Sequence, residues 1–197
     1  SGAARAWLEK ACAADFPLAL VQLGRFLTIE GKGRKDEAKA RQCFKRALEI
    51  DAPEARGALG EALVLGGLGS RHVKDGARLL RAAAEDDPEC AMLLVRFIED
   101  GKIKPAEGEN TFLLITRAAE GGVPEAMRDL GNILLICSLA KPEDMPLPGL
   151  TPEGLREEGI RWLVKATAAG DVKAEVILKG VAAREEEEDN PDGEVRQ

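Results

Sequence analysis

The sequence predicts an all-α fold, an array of about ten helices, on two observations. A set of residues recurs at a near-constant interval, and the segments between them are rich in helix formers. Lys10-Ala11, Arg46-Ala47, Arg81-Ala82, Arg117-Ala118 and Lys165-Ala166 follow one another at 36, 35, 36 and 48 residues. Six residues after each alanine stand Pro17, Pro53, Pro88, Pro124 and Val172. Two further on come Ala19, Ala55, Cys90, Ala126 and Ala174, and four beyond those Leu23, Leu59, Leu94, Leu130 and Leu178. A period between about 20 and 50 residues marks supersecondary units that bury their apolar faces on one another rather than one closed core.

Each column has a physical reason. A run such as Ala38 to Leu48 carries apolar residues three and four apart and reads as a helix. Four residues past the alanine, Asp15, Asp51, Asp86, Gly122 and Gly170 are types that accept the turn conformations beyond a helix end. Proline at the next start lacks an amide proton that the first turn would leave unpaired anyway. The pairs Leu23-Gly24, Leu59-Gly60 and Leu130-Gly131 place a glycine where a neighbouring backbone can approach. Ala19, Leu23, Ala47, Ala55, Leu59, Ala82, Leu94, Ala118, Leu130, Ala166 and Leu178 are therefore expected to be buried between neighbours, with almost no strand.

In chain order, residues 3–14 form a lone leading helix with Trp7, Leu8 and Ala11 on one side, which caps the array or continues one upstream. Full repeats begin at Pro17, Pro53 and Pro88, turning at Gly31-Lys32-Gly33, at Gly66-Gly67-Leu68-Gly69-Ser70 and at Gly101-Lys102-Ile103-Lys104-Pro105. The third connection lacks the glycine cluster and is expected to be the better ordered. The fourth repeat holds an insertion: Gly131 to Ala166 spans 35 residues where Gly24 to Ala47 spans 23. The extra residues fall at 139–152, where Pro142, Pro146, Pro148 and Pro152 forbid a continuing helix. Residues 173–184 close the array as a helix, so the array covers 1–184, and the acidic tail 185–197 is expected to be disordered.

Ala-x-x-x-Leu-Gly, a glycine-rich connection, and Trp-Leu-x-Lys-Ala as in Trp7-Leu8-Glu9-Lys10-Ala11 and Trp162-Leu163-Val164-Lys165-Ala166 together resemble the Sel-one-like repeat family, relatives of the tetratricopeptide repeats. The resemblance covers roughly residues 3–184. It implies a right-handed α-solenoid of antiparallel helix pairs that acts as a non-enzymatic adaptor for other proteins. The sequence departs from the pattern at Leu94-Val95 and Leu178-Lys179, where Leu-Gly would stand.

Composition narrows the function classes. The net charge of −7 disfavours a nucleic-acid partner. Residues 185–197 carry seven acids and one arginine, so the body, residues 1–184, holds only −1. No apolar run is long enough for a membrane span. The first fifteen residues read as a charged amphipathic helix rather than a signal peptide. Cys12, Cys43, Cys90 and Cys137 lie 31, 47 and 47 residues apart, without the close pairs of metal sites, and read as buried free thiols. That weighs toward a cytoplasmic compartment, with a periplasmic or secreted protein the alternative if a leader has been removed upstream. His72 sits in a loop with no nucleophile beside it, and Gly66-Gly67-Leu68-Gly69-Ser70 lacks the lysine of a phosphate loop. No catalytic constellation, cofactor motif or metal motif emerges.

The expected function is a scaffold that binds a peptide or protein; the alternative is a structural or spacer segment of a larger protein. Carried over from the resemblance by column, the groove-facing positions flank the core leucine. They include Val21, Met92 and Arg128 two residues before it and Arg25, Glu61, Arg96 and Asn132 two after. The alternation of Arg25, Glu61 and Arg96 suggests an ion-pair ladder between repeats, as compatible with self-satisfaction as with ligand binding. Leu147 and Leu150, in the stiff Met145-Pro146-Leu147-Pro148-Gly149-Leu150 of the insertion, are apolar side chains that need cover. They either fold back on the fourth repeat or reach a partner.

Overall fold

The computed structural model describes residues 2–13, 16–31, 33–52, 54–69, 72–140 and 151–189. Among them are ten α-helices and no strand. The chain divides into two compact units, Ser1–Glu109 and Asn110–Gln197. The first holds α1 (Gly2–Cys12), α2 (Pro17–Glu30), α3 (Arg34–Glu49), α4 (Ala55–Leu65), α5 (Val73–Ala83) and α6 (Pro88–Glu99). The second holds α7 (Thr111–Glu120), α8 (Pro124–Cys137), α9 (Pro152–Ala168) and α10 (Val172–Asp189).

The junctions follow the chemistry of the columns. Pro17, Pro88 and Pro124 open α2, α6 and α8, where the absent amide costs nothing. Asp51, Gly122 and Gly170 have positive φ of 52°, 93° and 94°, and each reverses the chain after a second helix. At these three turns the amide five residues past the alanine closes on its carbonyl: Ala52 to Ala47, Val123 to Ala118 and Asp171 to Ala166, at 2.9 to 3.0 Å.

The turn between α5 and α6 is one residue shorter, and this corrects the alignment there. Asp87 N–H bonds to Ala83 O at 2.9 Å, four residues back, and Asp86 does not adopt positive φ. The helix thereby shifts the buried column from Ala82, which is exposed, to Ala83, 7% exposed. Asp87 makes up for the missing closure by capping α6, its carboxylate accepting from Glu89 N at 2.9 Å and Cys90 N at 3.3 Å. The other alanine columns, together with Leu23, Leu94 and Leu130, are buried as expected. Leu59 and Leu178 are only partly buried, packed against their cores.

In the first unit, Leu20, Leu23, Leu27, Phe44, Ala58 and Leu68 share one core. Phe44 rests on Gly24, where a Cβ would stand 2.7 Å from its ring. Leu68 turns inward from the glycine-rich connection, held by Arg41, which donates to its carbonyl. The connection after α6, which holds Gly101 and Gly108 but no glycine cluster, packs against its own unit. Ile103 is 2% exposed, and Arg81 on α5 grips Glu109 with two hydrogen bonds of 2.7 and 2.8 Å while donating to Lys104 O. In the second unit, Leu163, Ala166 and Ala174 form the core with Met127, Leu135, Ile177 and Leu178. Helix α10 continues through the acidic residues 185–189, beyond the expected end of the array at 184. Most of the insertion, with Leu147 and Leu150, lies outside the described residues, as do residues 190–197. Thr151 caps α9 by accepting from Gly154 N at 3.0 Å.

Candidate functional site

The first helices of the pairs in the first unit, α2, α4 and α6, together with the turns that precede α4 and α6, surround a groove of about 860 Å³. Its wall is made by residues one to two turns inside each helix: Val21, Gln22 and Arg25 from α2, Glu61 from α4, and Leu93 and Arg96 from α6. Its remaining lining comes from the turn and start of α4, with Asp51, Glu54 and Arg56, and from the end of α5 and the turn and start of α6, with Ala82, Asp86, Asp87 and Glu89. The repeat produces this arrangement, because a short turn and a helix start return to the same edge once per period.

Four of the expected residues come together here: Val21, Arg25, Glu61 and Arg96. Arg25 and Glu61 form the first rung of the anticipated ladder, 3.7 Å apart and both part-exposed. Arg25 Nε is itself buried without an acceptor, so its guanidinium is only partly satisfied by that contact. Met92 is 1% exposed and lies in the core rather than on the lining. Asn132 is exposed on α8 in the second unit.

Arg128 in the second unit is engaged inside its own repeat. It reaches Asp171 at 2.8 Å, Asp129 at 2.7 Å and Glu125 at 3.6 Å, with 14% of its side chain exposed. Desolvation works against its charge, but these carboxylates outweigh it and raise its pKa. Asp171 in turn caps α10, accepting from Ala174 N at 2.9 Å. Arg128 thus ties α8 to the start of α10.

The acidic rim was not anticipated. Asp51 and Asp86 are legible in the sequence as helix stops, and Glu54 and Glu89 as acids at helix starts, where they favour the helix dipole. What sequence spacing does not give is that these positions converge. The groove is lined by six carboxylates, those of Asp51, Glu54, Glu61, Asp86, Asp87 and Glu89, against the guanidiniums of Arg25, Arg56 and Arg96. Arg56 approaches Asp51 at 3.9 Å across exposed surface, a weak pairing that leaves the rim negative.

The groove's thiol, that of Cys90, is not an activated nucleophile. Cys90, 5% exposed, is pushed up to about 12 by burial and by the nearby Asp87 carboxylate, to which its Sγ donates at 3.1 Å. Among the described residues no group of three or more His, Cys, Asp or Glu is placed to hold a metal ion. No helix of the described residues is long and apolar enough to cross a membrane.

No protein-family model matches the sequence, and no curated protein matches it. Solved structures do. One is a Sel1 repeat protein from Oxalobacter formigenes, with 21% identity and a TM-score of 0.61 over 84% of this chain and 63% of that one. Another is a protective antigen present in uropathogenic Escherichia coli strains that displays an SLR fold, with 22% identity and a TM-score of 0.60 over 88% of this chain and 35% of that one. The chain spans less than two thirds of the length of either protein. At such identities the likeness is one of fold, and with the ten helices and their repeated junctions it gives the conclusion: the chain has the all-α solenoid fold of the Sel1-like repeat proteins.

Proposed function

We propose that this chain is a non-enzymatic protein-interaction scaffold whose first unit holds an extended, cationic segment of a partner protein in the groove of α2, α4 and α6. The observation that carries the reading is the groove itself, with six carboxylates against three guanidiniums among its lining residues. A lysine- or arginine-bearing peptide places its charges on the rim at Asp51, Glu54, Asp86 and Glu89. Its backbone lies along the wall between Arg25 and Arg96. The apolar surface of Ala82 and Leu93 contacts its stems. An acidic segment is repelled by the same rim, which disfavours the chain's own acidic end as the occupant.

Charge at an exposed rim contributes more to encounter rate and discrimination than to affinity, so binding is expected to be salt-sensitive. A fluorescein-labelled peptide of alternating lysine and alanine and a glutamate counterpart of equal length are titrated separately with the full chain, by fluorescence anisotropy. The expected result is saturable binding of the lysine peptide alone, weakened roughly tenfold or more by the pair Glu54→Lys and Glu89→Lys, a loss of about 1.4 kcal/mol. Equal binding by the reversed variant, or preference for the glutamate peptide, removes the groove from consideration.

A further inference from the structure

Helix α1 is joined to α3 by rungs that advance together along both helices. Arg5 meets Asp36 at 2.8 Å, and one turn later Glu9 meets Lys39 at 2.5 Å. One turn further along each helix stand Cys12 and Cys43, with Cys12 packed on the core to which Cys43 belongs. The separations in sequence are 31, 30 and 31 residues, so the three rungs hold one register. Glu9, Cys12, Lys39 and Cys43 all line a second opening, of about 480 Å³, in the first unit. Cys43 belongs to the core, 6% exposed, and Cys12 packs on that core from α1 with part of its surface in solvent. Sequence spacing gave no hint of the pairing because the partners stand in successive repeats.

We propose that Cys12 and Cys43 are a site of oxidative modification, a dithiol that closes to a disulfide and fastens the leading helix α1 to α3. The rungs at Arg5 and Glu9 hold the two helices in place before any covalent bond exists, so closure needs no search through conformations. Cys12, the more accessible thiol, is attacked first by the chemistry. With glutathione disulfide as oxidant, the Cys12 thiolate attacks one glutathione sulfur. The glutathione S–S bond breaks, and the departing thiolate takes up a proton. The Cys43 thiolate then attacks Cys12 Sγ and expels the second glutathione, so the protein loses two hydrogens and two glutathione thiols are formed.

Burial raises the pKa of both thiols and makes closure slow, while Lys39 Nζ, one turn from Cys43, partly offsets it. Cys90 lines the groove rather than this opening, and Cys137 belongs to the second unit. The bond would close a loop that holds α2 and the first part of α3, which restrains the unfolded chain and raises the melting temperature of the first unit.

The test uses the full chain, reduced, freed of reductant, and held for hours with glutathione disulfide at mildly alkaline pH. Non-reducing peptide mapping by mass spectrometry follows. The expected product links the Cys12 and Cys43 peptides, leaves Cys90 and Cys137 free, and melts several degrees higher than the reduced protein. Cys12→Ser and Cys43→Ser should each abolish both the link and the rise. A Cys90→Ala, Cys137→Ala double variant should keep both. Glutathione adducts on Cys12 without the cross-link, linkage to Cys90 or Cys137 instead, or no reaction at Cys12 would each overturn the proposal.

Discussion

Gly131 and Gly159 face each other across α8 and α9 so closely that a Cβ on either would stand 2.8 Å from the other's carbonyl oxygen. Gly60 and Gly76 repeat the relationship between α4 and α5, with a Cβ on Gly60 3.0 Å from Gly76 O and one on Gly76 2.7 Å from Gly60 O. In each pair the obstacle is backbone, which cannot turn aside as a side chain can. Gly159→Ala and Gly76→Ala are expected to lower stability by about 1–3 kcal/mol in urea unfolding. Gly180, mid-helix in α10 with nothing within 4 Å of its built Cβ, supplies the contrast. Gly180→Ala should stabilise by up to about 1 kcal/mol.

Ala82 and Ala83 exchange the roles that the repeat spacing assigns to them. Ala83→Leu should cost about 1–3 kcal/mol by overpacking, while Ala82→Leu should stay within about 0.5 kcal/mol, because the first is buried and the second is exposed at the groove. Thermal melts of the two variants check this directly. Under the alignment read from the sequence, the order would be reversed.

The Arg81–Glu109 clamp gives the first unit a pH dependence. Hydrogen bonds from Arg81, opposed by desolvation and aided by the Ala106 amide, hold the Glu109 carboxyl below its usual value of 4.5. A depressed carboxyl contributes stability that is fully present above its unfolded value and is lost as pH falls through the folded one. Stability should therefore fall below about pH 4.5, and Glu109→Gln should flatten that fall while lowering stability at neutral pH. Urea unfolding at several pH values measures both effects.

Arg128→Met should destabilise the second unit by about 3 kcal/mol, because it leaves the Asp171 carboxylate, 9% exposed, without its cation. The same variant should leave peptide capture by the first unit unchanged. A calorimetric melt and an anisotropy titration on one sample separate the two outcomes.

Much of the architecture was legible because each column reports a local backbone requirement. Asp51, Gly122 and Gly170 need positive φ, and Pro17, Pro88 and Pro124 need a helix start without an amide donor. These requirements are satisfied within a few residues, so they survive in sequence. The α5–α6 turn was misread because Asp86 satisfies the same column by type while the chain closes one residue earlier on Ala83. The groove was half legible. Arg25, Glu61 and Arg96 follow from their place beside the core leucine, but the acids of the rim serve visible local purposes that conceal their convergence. Arg128 occupies a groove column by register, yet Asp171, 43 residues away, claims it. Nothing local in the sequence announces such a partner.

The central claim is that the groove of α2, α4 and α6 takes a cationic segment, and amide hydrogen exchange of the full chain with and without the lysine–alanine peptide tests it most directly. Slowed exchange is predicted in residues 20–26, 54–61 and 86–96, with little change in α8 to α10. Protection confined to the second unit, or the same exchange with and without saturating peptide, would contradict it.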